Sequence, residues 1–248
     1  MAMQIQLKNI RIVLVETSHT GNIGSTARAM KTMGLSSLYL VAPKTLPDEQ
    51  AIALSAGAND IVESAVVVEN FNQAVADCSL VIGTSARSRH LAIPQIDPRG
   101  CGKQAVRYAE QGGKVAIVFG RERVGLTNEE LLKCGFHLNI PANPDYASLN
   151  LAMAVQLVSY EIRMAMLGSR QSEPTTLVTE VNEKPTQQEL DYFFNQTEQL
   201  YRQLNFIQNS GVMPKLRSLY ARADLRKNEL NILQGMLAAV KKSTVASE

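Results

Sequence analysis

The 248-residue chain is poor in the residues on which much enzyme chemistry is built: it has three cysteines, three histidines and a net charge of only +2. Cys78, Cys101 and Cys134 lie far apart with no Cys-x-x-Cys pair, which argues against a disulfide framework and a zinc site and for a reducing compartment. His19, His90 and His137 are equally scattered, so neither a metal hydrolase nor any bound metal is expected. The near-balanced charge supplies no global argument for a nucleic-acid partner. No apolar run is long enough to cross a bilayer and no signal-peptide pattern is read, so the expectation is a soluble cytoplasmic protein with no membrane partner. The first strand is not followed by Gly-x-Gly-x-x-Gly, and there is neither a P-loop nor a Gly-x-Ser-x-Gly elbow. No loop carries paired carboxylates; Glu122 stands alone between two arginines, whose salt bridge to it is the bland reading of that residue. Internal repeats are absent.

What is present is alternation. The length allows one large domain, or a medium domain with a small appendage. Residues 10–15, 38–41, 65–68, 79–83, 115–119 and 138–140 read as strands. Between them, residues 48–58, 71–76 and 104–111 read as helices, the first with Ala51, Leu54 and Ser55 on its apolar face and Gly57 closing it. Residues 16–24 read as a polar loop, followed by a helix capped by Ser25, with Ala27, Met30 and Met33 on one face and Gly34 at its end. Thr127 and Glu130 form a capping box that starts another helix. A long helix over residues 148–166 places Leu149, Met153, Gln156, Leu157, Tyr160 and Met164 close to one face. This succession predicts a mostly parallel α/β sheet covered by helices on both faces.

The composition changes after residue 168. Residues 169–185 are Ser/Thr/Glu/Pro-rich and read as a flexible linker, and residues 186–248 as a helical extension with helices over 186–206 and 225–242. The division is therefore 1–168, 169–185 and 186–248. Two basic regions are candidate RNA contacts: the irregular stretch with Arg87, Arg89, His90, Arg99 and Lys103, broken by Pro94 and Pro98, and the cluster Arg202, Lys215, Arg217, Arg222, Arg226 and Lys227, opposed within its span only by Asp224.

Three loops at strand ends remain. They carry Asn22, Gly24 and Arg28; Gly120, Glu122, Gly125 and Leu126; and the run from Ile140-Pro141 to Ser148-Leu149-Asn150. Glycine- and proline-bearing loops of this kind let backbone groups reach a flat heterocycle and a ribose. Asn22-x-Gly24-x-x-x-Arg28 with Gly34, then Phe119-Gly120-x-Glu122-x-x-Gly125-Leu126, then Ile140-Pro141 with Ser148-Leu149-Asn150 and Tyr160-Glu161, resemble in this order three motifs of the SpoU branch of the SPOUT RNA methyltransferases. The resemblance covers about residues 8–165. With the run from Val15 to Leu35, Gly83-Thr84-Ser85-Ala86-Arg87 and the helical extension, it is closer still to members that methylate the 2′-hydroxyl of a tRNA pyrimidine at position 32 of the anticodon loop.

The resemblance implies a C-terminal trefoil knot that holds S-adenosyl-L-methionine, and a homodimer with its active site at the subunit interface. Carried onto this chain, it implies cofactor binding by Thr84, Ser85, Ala86, Gly120, Ile140, Ala147, Ser148 and Leu149. It implies a catalytic shell of Asn22, Arg28, Glu122, Ser148 and Asn150, and tRNA binding by the helical extension. The alternatives are 2′-O-methylation of rRNA or of another tRNA position, a non-catalytic RNA-binding protein on the same fold, and a nucleotide-dependent dehydrogenase.

Overall fold

The computed structural model describes residues 7–86, 93–169, 183–209 and 211–245. Its first strand, β1 (Ile10–Val15), is buried along its whole length. Alternation sends Ile10, Ile12 and Leu14 into one layer and Val13 and Val15 into the other. Arg11 is the polar exception. Its guanidinium donates to Asp77 at 2.8 and 3.1 Å and to the Ala74 carbonyl at 2.9 Å, and stacks 4.2 Å over the Tyr39 ring.

The chain continues through α1 (Thr20–Met33), β2 (Ser37–Val41), α2 (Glu49–Ser55), α3 (Asn59–Glu63), β3 (Val66–Val68), α4 (Phe71–Val75) and β4 (Leu80–Thr84). There follow β5 (Gln95–Ile96), α5 (Pro98–Glu110), β6 (Val115–Phe119), α6 (Asn128–Leu132), β7 (Phe136–Leu138) and α7 (Leu151–Ser169). The seven strands form one parallel sheet in the order β3-β2-β1-β6-β4-β7-β5. Helices α1, α2, α3, α5 and α7 cover one face, and α4 and α6 the other. The expected parallel α/β layering is therefore present.

Several boundaries differ from the sequence reading. Helix α1 begins at Thr20, so Asn22 and Gly24 lie in its first turns instead of a loop, and Ser25 is not its cap. Gly24 is there for packing: a Cβ on it would stand 2.0 Å from the Ala51 carbonyl oxygen, so α1 and α2 meet backbone to backbone. The helix expected over 48–58 is two, broken where Ala56 and Gly57 turn left-handed at φ 47° and 92°. Leu54, expected on its apolar face, is 46% exposed. Pro98 starts α5 instead of breaking it, behind an Asp97 cap that accepts from Gly100 N at 2.7 Å; proline suits the first helical turn, where its missing N–H costs nothing. β7 lies two residues earlier than expected. In α7 the core side is Leu151, Val155, Val158, Ile162 and Met166, while Met153, Leu157, Tyr160 and Met164, chosen from the sequence as one apolar face, are 43–63% exposed.

Three helices, α8 (Gln187–Gln203), α9 (Val212–Ala223) and α10 (Lys227–Val245), form a unit with its own core of Phe193, Phe194, Leu200, Ile207, Met213, Leu230 and Leu237. The sequence reading missed α9, where Pro214 sits in the first turn and disguises a helix start as a break. Most of the proposed linker, residues 170–182, lies outside the described residues, as do Arg87, Arg89 and His90. The end of that segment is not loose. Gln187 N donates to the Cys78 carbonyl at 2.8 Å and Gln188 N to that of Ala76 at 3.0 Å. Asp224 takes a hydrogen bond from the Tyr108 hydroxyl, an ion pair from Lys184 at 2.9 Å and a longer one from Arg107 at 3.5 Å.

Asp224 thus ties the three-helix unit to α5. Asp224→Ala is expected to free that unit while leaving the sheet intact. Small-angle scattering should then show a larger radius of gyration, and limited proteolysis a faster cut near residue 184; a variant as compact as wild type would remove Asp224 from the docking surface.

Candidate functional site

The C-terminal ends of β1, β4, β6 and β7 converge on one rim of the sheet, where an open parallel α/β sheet places its binding crevice. β1 delivers Ser18 and His19 to the start of α1, which has no side-chain cap of its own. The cap comes from 104 residues away: the Glu122 carboxylate accepts from Ser18 N at 3.1 and 3.3 Å and lies 3.5 Å from His19 N. An anion at a helix N-terminus meets free N–H groups and the positive end of the helix dipole. Glu122 also accepts from the Asn22 amide at 3.2 Å, and the Asn22 oxygen accepts from the Asn150 amide at 3.1 Å. Asn150 in turn accepts from Ala152 N at 2.9 Å and so starts α7.

The chain Glu122–Asn22–Asn150 therefore joins all three motif loops and orients both amides. Burial pushes the Glu122 carboxyl upward, but hydrogen bonds from its own backbone, Asn22 and Ser18 outweigh it and hold the group below its ordinary value. Glu122 is an ionised, fully engaged acceptor that fixes Asn22. Its position answers the bland reading: neither flanking arginine is its partner.

Arg121 points elsewhere. It pairs with Glu16 and with Glu130, the latter at 3.0 and 3.1 Å, while Glu16 reaches Lys44 at 2.7 Å. Lys44, Glu16, Arg121 and Glu130 alternate in sign and clasp the ends of β2, β1 and β6 to the start of α6. Arg121 also bridges to Gly125, whose left-handed φ of 70° turns the loop back on itself. Gly120 passes so close to this turn that a Cβ would lie 2.2 Å from the Gly125 carbonyl carbon. No part of this clasp was read from the sequence except the Thr127–Glu130 capping box, which is present with both reciprocal bonds.

Hydrogen bonds from Arg121 and Lys44, against a smaller effect of burial, lower the Glu16 pKa to about 2. A depressed carboxylate contributes stability that is full above its unfolded value and is lost as pH falls through the folded one. The clasp should therefore hold down to about pH 4.5 and fail toward pH 2. Arg121→Met is expected to flatten the decline of the thermal midpoint across that window; an unchanged decline would show that Glu16 draws no stability from Arg121.

The remaining site residues fall into place around this centre. Thr84 ends β4; Ser85 N donates to the Leu138 carbonyl and the Asn139 amide to the Ser85 carbonyl, both at 3.0 Å, so the loops after β4 and β7 are stitched together. Ala86 is exposed, and Ile140 is half-buried against the core. Ala147 is half-buried, Ser148 is exposed and Leu149 is 38% exposed. The structure brings together Asn22, Glu122 and Asn150, but not Ser148 or Arg28. Arg28 is exposed on α1 and has no hydrogen bond or ion pair among the described residues. One turn further along α1, Thr32 meets Gln156 of α7 at 3.5 Å, so the two helices run side by side there.

Residues 9–160 match the model of the SpoU rRNA methylase family, and residues 188–248 match that of the C-terminal domain of the tRNA methyltransferase TrmJ. The chain is 65% identical, over 95% of its length and 96% of the relative's, to an uncharacterized tRNA/rRNA methyltransferase of Haemophilus influenzae. It is 57% identical to the tRNA (cytidine/uridine-2′-O-)-methyltransferase TrmJ of Photorhabdus laumondii, over 95% of this chain and 98% of that one. The crystal structure of TrmJ from Z. mobilis superposes with a TM-score of 0.79 at 30% identity, covering 93% of this chain and 98% of that one.

Proposed function

This chain belongs to the SpoU methylase family, and from that premise we propose that it methylates the ribose 2′-hydroxyl of a tRNA pyrimidine, drawing the methyl group from S-adenosyl-L-methionine. The TrmJ-type C-terminal domain and the TrmJ relatives support the tRNA substrate. Position 32 of the anticodon loop is the site proposed from the resemblance. The observation that carries the reading is the Glu122–Asn22–Asn150 chain, which joins three loops distant in sequence around one rim.

The loops suit the cofactor. Ile140 and Leu149 offer half-open apolar surface for an adenine, and Thr84, Ser85, Ala86, Gly120 and Ala147 are small enough to leave the backbone reachable. Bound there, S-adenosylmethionine would supply an electrophilic methyl. The protein's own part is alignment, an effect worth roughly 7–11 kcal/mol when orientation is good. Asn22 and Asn150 are held as donors, with one amide hydrogen each left for a ligand.

We read the exposed stripe of Met153, Leu157, Tyr160 and Met164 as the face of a homodimer. On that reading Arg28, exposed on the helix packed beside α7, enters the partner's site and acts in trans. A guanidinium has no free lone pair and a pKa above about 12, so Arg28 serves as an anchor for the adjacent phosphate that polarises the hydroxyl, not as its base. The trefoil knot and a cytoplasmic location belong to the same reading.

Of the basic cluster in the C-terminal helices, Arg202, Arg217 and Lys227 are engaged by Glu198, Asp191 and Glu183. Lys215, Arg222 and Arg226 remain exposed with no ion pair among the described residues, and are the cations offered to RNA. Neutralising all three is expected to reduce the slope of log affinity for tRNA against log salt by about 2, at roughly 0.7–0.9 for each phosphate no longer neutralised. An unchanged slope would remove this surface from tRNA binding. The reaction itself is tested by transfer from labelled S-adenosylmethionine to unmodified tRNA, followed by nucleoside mapping. A 2′-O-methylpyrimidine in the anticodon loop is expected; methylation only of rRNA, or none, would overturn the assignment.

A further inference from the structure

A cavity of about 380 Å³ lies where the three C-terminal helices meet the sheet domain. It is not part of the site above. Leu80 and Phe136, which line it, open β4 and β7, whereas the cofactor loops leave from the opposite ends of those strands. Along β4, Leu80 and Thr84 are about 13 Å apart at the usual rise of a parallel strand.

Its floor is apolar and partly aromatic, with Leu80, Leu132 and Phe136 from the sheet domain facing Leu190, Phe194 and Tyr220. Its rim carries five cations, Arg107, Lys133, Lys184, Arg217 and Arg222, against one carboxylate, Asp224. Lys184 and Arg107 share that carboxylate, at 2.9 and 3.5 Å. Arg217 is turned to Asp191 at 2.8 Å with its guanidinium 4.4 Å over the Phe194 ring. Lys133 donates to the Asn72 amide oxygen at 2.9 Å and lies 3.8 Å from Glu129, whose side chain is 86% exposed. Arg222 has no ion pair among the described residues.

The volume falls within the roughly 300–1,000 Å³ usual for ligand sites, which favour domain junctions and combine an apolar lining with a few placed polar groups. An apolar molecule alone would leave Arg222 unmatched and Lys133 with only its long contact to the exposed Glu129, and inorganic phosphate alone would leave the floor bare. A nucleotide answers both: a base packs on apolar and aromatic side chains, and its phosphate pairs with Arg and Lys. We propose that the cavity between the sheet domain and the C-terminal helices is a second binding site, taking one nucleotide with its base on the half-buried Phe136 and Tyr220 and its phosphate on Arg222 and Lys133. The nucleotide is either free or a unit of an RNA chain.

The test is titration of the full-length protein with uridine 5′-monophosphate, followed by NMR and calorimetry, with Arg222→Glu and Lys133→Glu as variants. Arg222 is exposed, so its variant should keep the wild-type thermal midpoint. Saturable binding at about 1 mM or tighter is expected, weakened roughly tenfold in each variant and for uridine lacking the phosphate. No saturable binding, or wild-type affinity in both variants, would overturn the proposal. Competition with unmodified tRNA then separates the sources. Displacement of the nucleotide, with tRNA binding weakened by Arg222→Glu, assigns the site to an RNA unit; simultaneous binding assigns it to a free nucleotide. Only this arm rests on the proposed function, and methyl transfer by the wild-type protein reports separately whether that function holds.

Discussion

Arg28→Ala is expected to lower turnover by roughly 10²–10³-fold, the usual cost of removing one preorganised transition-state contact, while cofactor affinity stays within about twofold of wild type. The separation follows from where Arg28 stands. It is exposed, and the described residues give it neither an ion pair nor a hydrogen bond, so its loss leaves no orphaned partner and the thermal midpoint should not move. If the arginine works in the partner's site, activity is recoverable by mixing. Subunits with Arg28→Ala combined with subunits carrying a dead cofactor loop should regain about a quarter of wild-type activity, because each mixed dimer holds one intact site. Turnover within a few-fold of wild type in the single variant would end the assignment, and failure of the mixture to recover would place Arg28 in its own subunit's site.

Gly120→Ala supplies that dead loop. The added methyl would stand 2.2 Å from the Gly125 carbonyl carbon and 2.3 Å from Leu126 N, both backbone atoms with no flexible end to swing aside. The turn must open, and Arg121, bridged to Gly125 and clasped by Glu16 and Glu130, opposes that movement. Overpacking of this kind costs about 1–3 kcal/mol. S-Adenosylmethionine affinity is expected to fall tenfold or more, equivalent to at least about 1.4 kcal/mol. Calorimetry on the purified variant checks this directly; wild-type affinity would show that the loop at Gly120 does not touch the cofactor.

The layering was legible because buried parallel strands are short apolar runs, and residues 115–119 stand out as one at any register. The start of α1 was not, because its cap is not local: a sequence window around Ser18 and His19 contains no cue that Glu122 completes it. The use made of the apolar faces of α7 was open in the sequence for a related reason. Leu157 and Tyr160 are apolar at helical spacing, the pattern of a core face, yet the sheet takes Val155, Val158 and Ile162. Periodicity reports that a face is apolar, not which apolar face the fold uses. Arg121 and Glu122 are neighbours whose partners lie on different elements, and only the strand order decides which partner each meets. Asn22, Glu122 and Asn150 were found through motif order, whereas the clasp of Glu16, Arg121 and Glu130 belongs to no local pattern.

The same strand order bears on synthesis. β6 lies between β1 and β4, so β1, the first strand made, keeps one edge unpaired until residues 115–119 have left the ribosome. At roughly 5–20 residues per second, the intervening hundred or so residues take about 5–20 s to emerge. During that time Ile10, Ile12 and Leu14 lack their lateral neighbour. Closure of the sheet and assembly of the rim are therefore a single late event.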